Sequence, residues 1–486
     1  MTVYKKLYKN YAYSSIYQIL ILILPLILTP FLTRVLGADG IGQYSYTRSI
    51  VTYFILFGTL GSNMYAQREI AYVSGNRHQR SRIFQEILLI RCLLLNISLI
   101  VYLLGEVRNG RYPLLFLIQS MDIIAAMVDI TWYFQGMENF RKITLRNTIL
   151  KLFSAVFILA VIRKPSDLWL YVFIYTVSNL LGQIWLWKDA IHTLDRIPFR
   201  DLQIHCHWKN ILMLFIPQVA IQIYLVIDKT MIQILTNDSL ENGYYELAQT
   251  IQRAGVILTT AFGSVTASRI ALLKSKSGNE EIRKLITQSY EIVCLIGVPI
   301  AMGLGAIARN LIPWFMGDGY MPVAQLLIML CPLIVIIGFS NISGIQYMIP
   351  MGLQSRMTAS TLSGMAVNVV LNLLWIPDHK AKGAAAASVI AECAVAFIQL
   401  ISIREVPDKK VLLKSFALAV FSGCIMVILI KIAEAHWLEA ASFQHTLLLT
   451  IGGGILYFTL QFLLGNRLLK AAATHLISIY RKRSDS

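Results

Sequence analysis

The stretch YAYSSIYQILILILPLILTPFLT at 11–33 contains no Asp, Glu, Lys or Arg. A membrane-spanning helix needs about 20 predominantly apolar residues, so this stretch predicts one. Comparable runs recur along all 486 residues, of which 56% are hydrophobic and 14% charged. Soluble domains are about 25% charged, and disordered chains have few apolar residues, so both classes are excluded. The sequence predicts an all-α polytopic membrane protein.

About fourteen transmembrane helices are predicted, because that many apolar runs are separated by short polar connections. The predicted spans are 11–33, 43–66, 83–105, 112–134, 143–162, 168–187, 211–235, 244–267, 287–308, 321–345, 357–376, 383–403, 413–432 and 446–465.

The net charge of +17 could indicate nucleic-acid binding, but the position of the charges does not favour it. Most of the 43 Lys and Arg residues fall in alternate loops, which is the asymmetry that cytoplasmic loops show. Both termini are therefore predicted to be cytoplasmic, and membrane lipids rather than nucleic acid are the expected surroundings. No small-residue cleavage site follows the first span, which predicts a retained anchor.

The longest polar connection, 188–210, follows the sixth span and predicts a cytoplasmic linker between two six-span lobes. The predicted division is an N-terminal lobe at 1–187, the linker, a C-terminal lobe at 211–403, and two extra spans with a basic tail at 404–486. A weak internal repeat supports two lobes of equal orientation: Gly42 precedes Ile50 by eight residues, and Gly243 precedes Ile251 by the same distance.

Polar side chains inside the predicted spans recur at helical spacing, and such residues indicate function because they are costly in hydrocarbon. The first two helices of each lobe carry these stripes. The predicted substrate-binding residues are Gln18, Arg48, Thr52, Gln218, Gln222, Lys229, Gln249 and Arg253. Arg253 is the strongest of them, because it lies near the middle of its predicted span.

Other interpretations of these charges remain open at the level of sequence. Arg48 lies near a span end and can extend to the interface. Lys229 can be neutralised by Asp228 or by Glu246.

Asp122 and Asp129 are seven residues apart on the predicted fourth span, so they are expected to share a helix face. An ion pair with Arg91 is the favoured interpretation, and a coupling site for a cation or a proton is the rival. Asp228 and Glu246 are the other candidates for ion coupling.

Motifs for catalysis or cofactor binding do not occur. The sequence contains neither G-x-x-x-x-G-K-[ST] nor G-x-S-x-G. The adjacent ligands in His205-Cys206-His207 do not match zinc-site spacing, and the six cysteines are scattered through apolar runs. No metal or cofactor is predicted, although sodium or proton coupling is compatible with the acidic residues. The protein is interpreted as a transporter and not as an enzyme.

Several runs resemble bacterial polysaccharide flippases, over the full length of the chain. They are PFLTRVLG at 30–37, GIGQY at 40–44, REIA at 68–71, DITWYFQGME at 129–138, and GYY at 243–245 with Ala248. The resemblance is to the O-antigen-type (Wzx-like) lipid-linked oligosaccharide flippases of the multidrug/oligosaccharidyl-lipid/polysaccharide (MOP) exporter superfamily.

The resemblance implies two six-helix lobes in a V shape around a cationic cavity lined by helices 1, 2, 7 and 8. It implies an undecaprenyl-diphosphate-linked oligosaccharide as cargo, moved from the inner to the outer leaflet of the bacterial cytoplasmic membrane for surface polysaccharide synthesis. Glycosyltransferases and a polysaccharide polymerase are the expected partners.

In the related lipid II flippases, arginines on helices 1, 2 and 8 serve the diphosphate. Arg48 and Arg253 match helices 2 and 8, whereas the first span here has no basic residue. A cation-coupled multidrug exporter and a membrane glycosyl-polymerase or ligase are the alternative functions.

Overall fold

The computed structural model describes residues 20–274, 278–404, 407–436 and 441–471, and these form helices without any strand. Within these ranges, eleven helices are long and apolar enough to cross a membrane, or up to twelve if one bent pair is a single span. The all-α polytopic fold is therefore confirmed. The count of fourteen stays a prediction.

The chain divides by its contacts into two compact units, Met1–Gly243 and Tyr244–Ser486. The helices that begin in the first unit are α1 (Leu20–Val35), α2 (Gly37–Thr59), α3 (Ser62–Tyr72), α4 (Arg77–Tyr102), α5 (Pro113–Met127), α6 (Thr131–Gly136), α7 (Phe140–Val161), α8 (Leu168–Ile191), α9 (Trp208–Thr236) and α10 (Ser239–Thr260). Because α9 packs on α2 and α3, the contacts place it in the first unit. The lobe boundaries at 187 and 211 stay a prediction.

The second unit contains most of α10 and the helices that follow it. These are α11 (Gly263–Lys274), α12 (Asn279–Met316), α13 (Met321–Leu330), α14 (Pro332–Asn341), α15 (Ile349–Met351), α16 (Gln354–Ser402), α17 (Lys409–His436) and α18 (Phe443–Leu463). Helix α12 is central, since α13, α14, α17 and α18 all pack against it. Its buried Tyr290 hydroxyl lies 2.6 Å from the Ser343 hydroxyl, which satisfies both groups in the apolar interior.

Helix breaks divide several of the predicted spans. The predicted span 43–66 breaks at Leu60 and Gly61, whose φ angles of 44° and 70° are left-handed. Pro332 separates α13 from α14 as the first residue of the second helix, where its missing N–H is not needed. Helix α16 has 49 residues, but Lys380 (φ 49°) kinks it between predicted spans 357–376 and 383–403. At 1.5 Å per residue α16 would measure about 74 Å, far more than one bilayer crossing requires.

Aromatic packing fixes the join between α5 and α6 in the first unit. The ring centroid of Phe84 lies 5.2 Å from that of Trp132 and 5.3 Å from that of Tyr133. Trp132 Nε1 donates a hydrogen bond of 2.9 Å to the carbonyl of Asp129, and Trp132 is fully buried. The most specific run of the flippase resemblance, 129–138, is thus a packing element.

Candidate functional site

A charged and aromatic cluster surrounds Arg48 between α2, α5 and α8. Arg48 lies about 16 Å along α2, and its Nη1 donates a 2.5 Å hydrogen bond to the Tyr44 hydroxyl. The guanidinium carbon lies 4.7 Å from the ring centroid of Tyr175 on α8, within cation–π range. Despite these contacts the Arg48 side chain is exposed. It is held in place and still accessible from one side.

Asp122 on α5 completes this cluster. Its Oδ1 accepts a 2.9 Å hydrogen bond from Asn179 Nδ2 on α8, and it interacts electrostatically with Arg48. Asp122 is half-buried and Asn179 is exposed. The carboxylate therefore offsets the charge of Arg48 locally.

Arg91 and Asp129 form a separate ion pair. Arg91 Nη2 lies 3.7 Å from Asp129 Oδ2, and the Arg91 side chain is 1% exposed. Arg91 also donates to the Ala126 carbonyl at 2.9 Å. The predicted pairing of Arg91 with an aspartate is confirmed, but the shared face for Asp122 and Asp129 is wrong. Helix α5 ends at Met127, so Asp129 leaves the helical register.

The predicted stripe on α9 separates into accessible and buried groups. Gln218 is half-buried and Gln222 is exposed. Asp228 and Lys229 are 8% and 7% exposed, and both interact with other groups of the protein. Beside them, the hydroxyls of Thr230 and Tyr53 lie 2.9 Å apart, which ties α9 to α2. Burial of Lys229 fits the interpretation that its charge is neutralised internally.

The predicted stripe on α10 lies on one accessible face. Glu246 and Gln249 are half-buried and Arg253 is exposed, whereas Tyr245 and Ala248, on the adjoining side of the helix, are buried. Arg253 Nη2 donates a 2.6 Å hydrogen bond to Gln249 Oε1. In the part of the chain that the structure describes, no carboxylate lies within ion-pair distance of Arg253. The guanidinium is thus held in position by an amide, and no described carboxylate neutralises its charge.

Two predicted substrate-binding residues remain, Gln18 and Thr52. Gln18 lies outside the described residues. Thr52 is half-buried, and its hydroxyl donates a 2.8 Å hydrogen bond to the carbonyl of Arg48, one helical turn earlier. That bond uses the only hydroxyl hydrogen of Thr52, which leaves its oxygen as an acceptor.

Sequence reasoning missed the residues on α8 that belong to the cluster around Arg48. Tyr171, Tyr175 and Asn179 are spaced four apart, so they lie along one side of α8. The same four-residue spacing in the sequence is a signal that could have identified this stripe.

A second missed cluster ties the linker to α4. His207 Nε2 lies 2.8 Å from Glu86 Oε2, and His207 Nδ1 lies 2.7 Å from the Tyr65 hydroxyl. Glu86 Oε1 accepts the backbone N–H of Gln203 at 2.5 Å. All three side chains of the cluster, Tyr65, Glu86 and His207, are buried. Both ring nitrogens of His207 therefore have partners in a protein network.

The described residues contain no group of three His, Cys, Asp or Glu side chains that could hold a metal ion. Cys206 and His205 are exposed beside the buried His207, so the three neighbours in the sequence do not converge. Arg48 and Arg253 instead provide accessible cations, and the amides and phenols around them provide hydrogen-bonding groups.

Comparison with known proteins agrees with this architecture. A protein of Escherichia coli (strain K12) named "Putative O-antigen transporter" is 23% identical over 407 residues, covering 82% of this chain and 96% of its own. A protein of Shigella dysenteriae with the same name is 21% identical over 386 residues, covering 78% of this chain and 96% of its own.

Solved structures with a similar fold are also membrane transporters. A structure of the lipid II flippase MurJ in an inward closed conformation matches with a TM-score of 0.76 and 16% identity, covering 94% of this chain and 99% of its own. An inward-facing multidrug resistance MATE family transporter of the MOP superfamily matches with a TM-score of 0.57 and 13% identity, covering 84% and 99%. At these identities the likeness establishes the fold alone.

The fold is that of a multi-pass membrane protein whose helices are arranged like those of the lipid II flippase and the MATE family transporter. Residues 7–270, more than half of the chain, match the model of one protein family. The chain belongs to the polysaccharide biosynthesis protein family.

Proposed function

We propose that this protein is a flippase, and not an enzyme, that moves an undecaprenyl-diphosphate-linked oligosaccharide from the inner to the outer leaflet of the bacterial cytoplasmic membrane. Its two lobes alternate between access to one side and access to the other. Membership of the polysaccharide biosynthesis family supports this function, as do two relatives named as O-antigen transporters. Glycosyltransferases would supply the cargo and a polymerase would consume it.

The accessible guanidinium of Arg253 is the observation that carries the proposal. It lies about 21 Å along α10, is exposed, and is held by Gln249. An arginine facing lipid at this depth costs about 2.5–3.5 kcal/mol or more, so the exposed face is expected to line a hydrated path. Because such a path is narrow and bounded by low-dielectric protein and lipid, the cation attracts a diphosphate more strongly there than in bulk water.

The membrane potential assists this direction of transport. Moving one negative charge outward from a negative interior gains about 2.3 kcal/mol per 100 mV. Sodium or proton coupling is a second part of the proposal, with the half-exposed carboxylate of Glu246 as its candidate site. Replacing the sodium gradient by a proton gradient, at constant potential, tests which ion is used.

Arg253→Ala tests the flippase function. In cells that depend on this protein, the variant is expected to accumulate lipid-linked oligosaccharide on the cytoplasmic leaflet, at normal protein abundance. Arg269→Ala is the matched control, because Arg269 is an exposed arginine on the neighbouring α11.

A quantitative expectation follows from the charge alone. A hydrogen bond to a charged group contributes about 1.5–3 kcal/mol, so transport should fall by roughly tenfold to a hundredfold. Arg253→Lys should retain part of the wild-type transport rate. If Arg253→Ala transports the lipid at the wild-type rate, Arg253 is not part of the substrate-binding site. Unchanged lipid-linked pools after deletion of the whole protein would favour a multidrug exporter.

A further inference from the structure

The cluster around Arg48 has a different chemical character from the face around Arg253. Arg48 lies between the rings of Tyr44 and Tyr175 and interacts with the carboxylate of Asp122. Arg253 donates instead to the neutral amide of Gln249, and among the described residues no carboxylate lies within ion-pair distance of it. Arg48 is thus an accessible cation beside two rings and a carboxylate, whereas Arg253 has no carboxylate near it among the described residues.

We propose that the Arg48 cluster is a saccharide-binding subsite that holds a sugar ring of the cargo. This inference rests on the proposed flippase function and assigns one part of the cargo to the first unit. A diphosphate at this position would bring its negative charges close to the carboxylate of Asp122. A neutral, hydroxyl-rich ring meets no such repulsion, because carboxylate and guanidinium both bond to hydroxyl groups.

The aromatic side chains supply the apolar surface that a sugar ring requires. The ring centroids of Tyr44 and Tyr171 are 5.1 Å apart, and those of Tyr44 and Tyr175 are 6.1 Å apart, both edge to face. All three rings are half-buried, so part of each remains accessible. The C–H groups on a sugar face carry partial positive charge and are attracted to the negative face of an aromatic ring.

The polar side chains supply planar donors and acceptors beside those rings. Asn179 uses one of its two amide hydrogens on Asp122, and Arg48 has five N–H groups to share. Adjacent hydroxyls on a sugar can each donate and accept, so they match a guanidinium, an amide and a carboxylate held side by side. Such a combination of aromatic surface and a few fixed polar groups is typical of small-molecule sites.

The test compares two lipids on the full-length protein in lipid nanodiscs. The probes are undecaprenyl-diphosphate-linked N-acetylglucosamine and undecaprenyl diphosphate without sugar. Wild-type protein is expected to bind the glycosylated lipid more tightly. Tyr175→Ala and Asn179→Ala should each weaken binding of the glycosylated lipid by about tenfold, and change binding of the bare lipid by less than about twofold.

Two matched variants separate sugar binding from folding. Tyr175→Phe keeps the ring and should retain most of the affinity for the glycosylated lipid. Phe173→Ala removes an exposed ring from the same helix outside the cluster, and should alter neither affinity. Because Asn179 is exposed, its replacement by alanine should leave the melting temperature unchanged.

The outcomes distinguish this inference from the flippase function. If the Tyr175 and Asn179 variants bind both lipids equally more weakly, or bind both as the wild type does, the saccharide subsite is overturned. The proposed flippase function of the wild-type protein is unaffected by either result. Wild-type protein that binds neither lipid overturns the flippase function and the subsite together.

Discussion

Gly42→Ala is expected to destabilise the protein, because Gly42 on α2 packs directly against the first turn of α10. A Cβ atom at residue 42 would lie 1.8 Å from the Ser239 carbonyl oxygen and 2.7 Å from the Gly243 nitrogen. Both obstacles are backbone atoms, and ordinary contact begins near 3.4 Å. Helix α2 and the turn between α9 and α10 would therefore have to separate by well over an ångström.

The expected magnitude combines three effects. Overpacking a tight contact costs about 1–3 kcal/mol. The separation also stretches the buried hydrogen bond of 3.1 Å that Asn242 Nδ2 donates to the Gly42 carbonyl, at about 1 kcal/mol. Alanine recovers up to about 1 kcal/mol of helix propensity over glycine. The net loss in free energy of unfolding should be about 1–3 kcal/mol.

The assay is equilibrium unfolding in mixed detergent micelles with a matched glycine control. Gly452 in α18 has open space where a Cβ would lie, so Gly452→Ala should stabilise by up to about 1 kcal/mol. Gly243→Ala places its Cβ 1.8 Å from the Ala38 carbonyl oxygen and should destabilise as Gly42→Ala does. If Gly42→Ala proves as stable as Gly452→Ala, the close packing inferred here is refuted.

Two further predictions concern buried polar groups. Asp129→Ala should lower the free energy of unfolding by about 3–5 kcal/mol, because it leaves the buried Arg91 charge uncompensated. The double variant Arg91→Met with Asp129→Leu should lose much less stability. A loss in the double variant equal to the sum of the two single losses would contradict this prediction. His207→Ala should cost about 1–3 kcal/mol, since it leaves the buried Glu86 oxygen unpaired, and should speed proteolysis of the linker in detergent-purified protein. His205→Ala, at an exposed position, is the control, and equal cleavage of the two variants would exclude the predicted anchoring.

Composition and helical periodicity were sufficient to predict the fold class and the face of α10. Long uncharged runs have few structural alternatives to a membrane helix, because unpaired backbone groups are too costly in lipid. Three- and four-residue spacing places Glu246, Gln249 and Arg253 on one face, because α10 is a continuous helix through these residues. The repeated glycines at 42 and 243 were visible in the sequence as well, although their contact was not.

Periodicity failed where a helix breaks inside an apolar run. Asp122 and Asp129 were expected on one face, but α5 ends at Met127 and gives them different partners. Leu60 adopts a left-handed conformation that its residue type does not favour, so the break after α2 has no local signal at that residue. Tertiary packing decides such breaks, and a single sequence does not contain the packing explicitly.

Four of the helical arginines, Arg48, Arg91, Arg146 and Arg253, show why burial is needed to assign a function. Arg91 and Arg146 are 1% and 6% exposed, and each donates to carbonyl and side-chain oxygens within the first unit. Arg48 and Arg253 are exposed, at comparable positions along their helices. Sequence periodicity does not distinguish these four arginines, because each is a charged residue in an apolar run. Only the exposed pair can exchange protein contacts for contacts with a cargo, and the neighbours of each then decide which part of that cargo it binds.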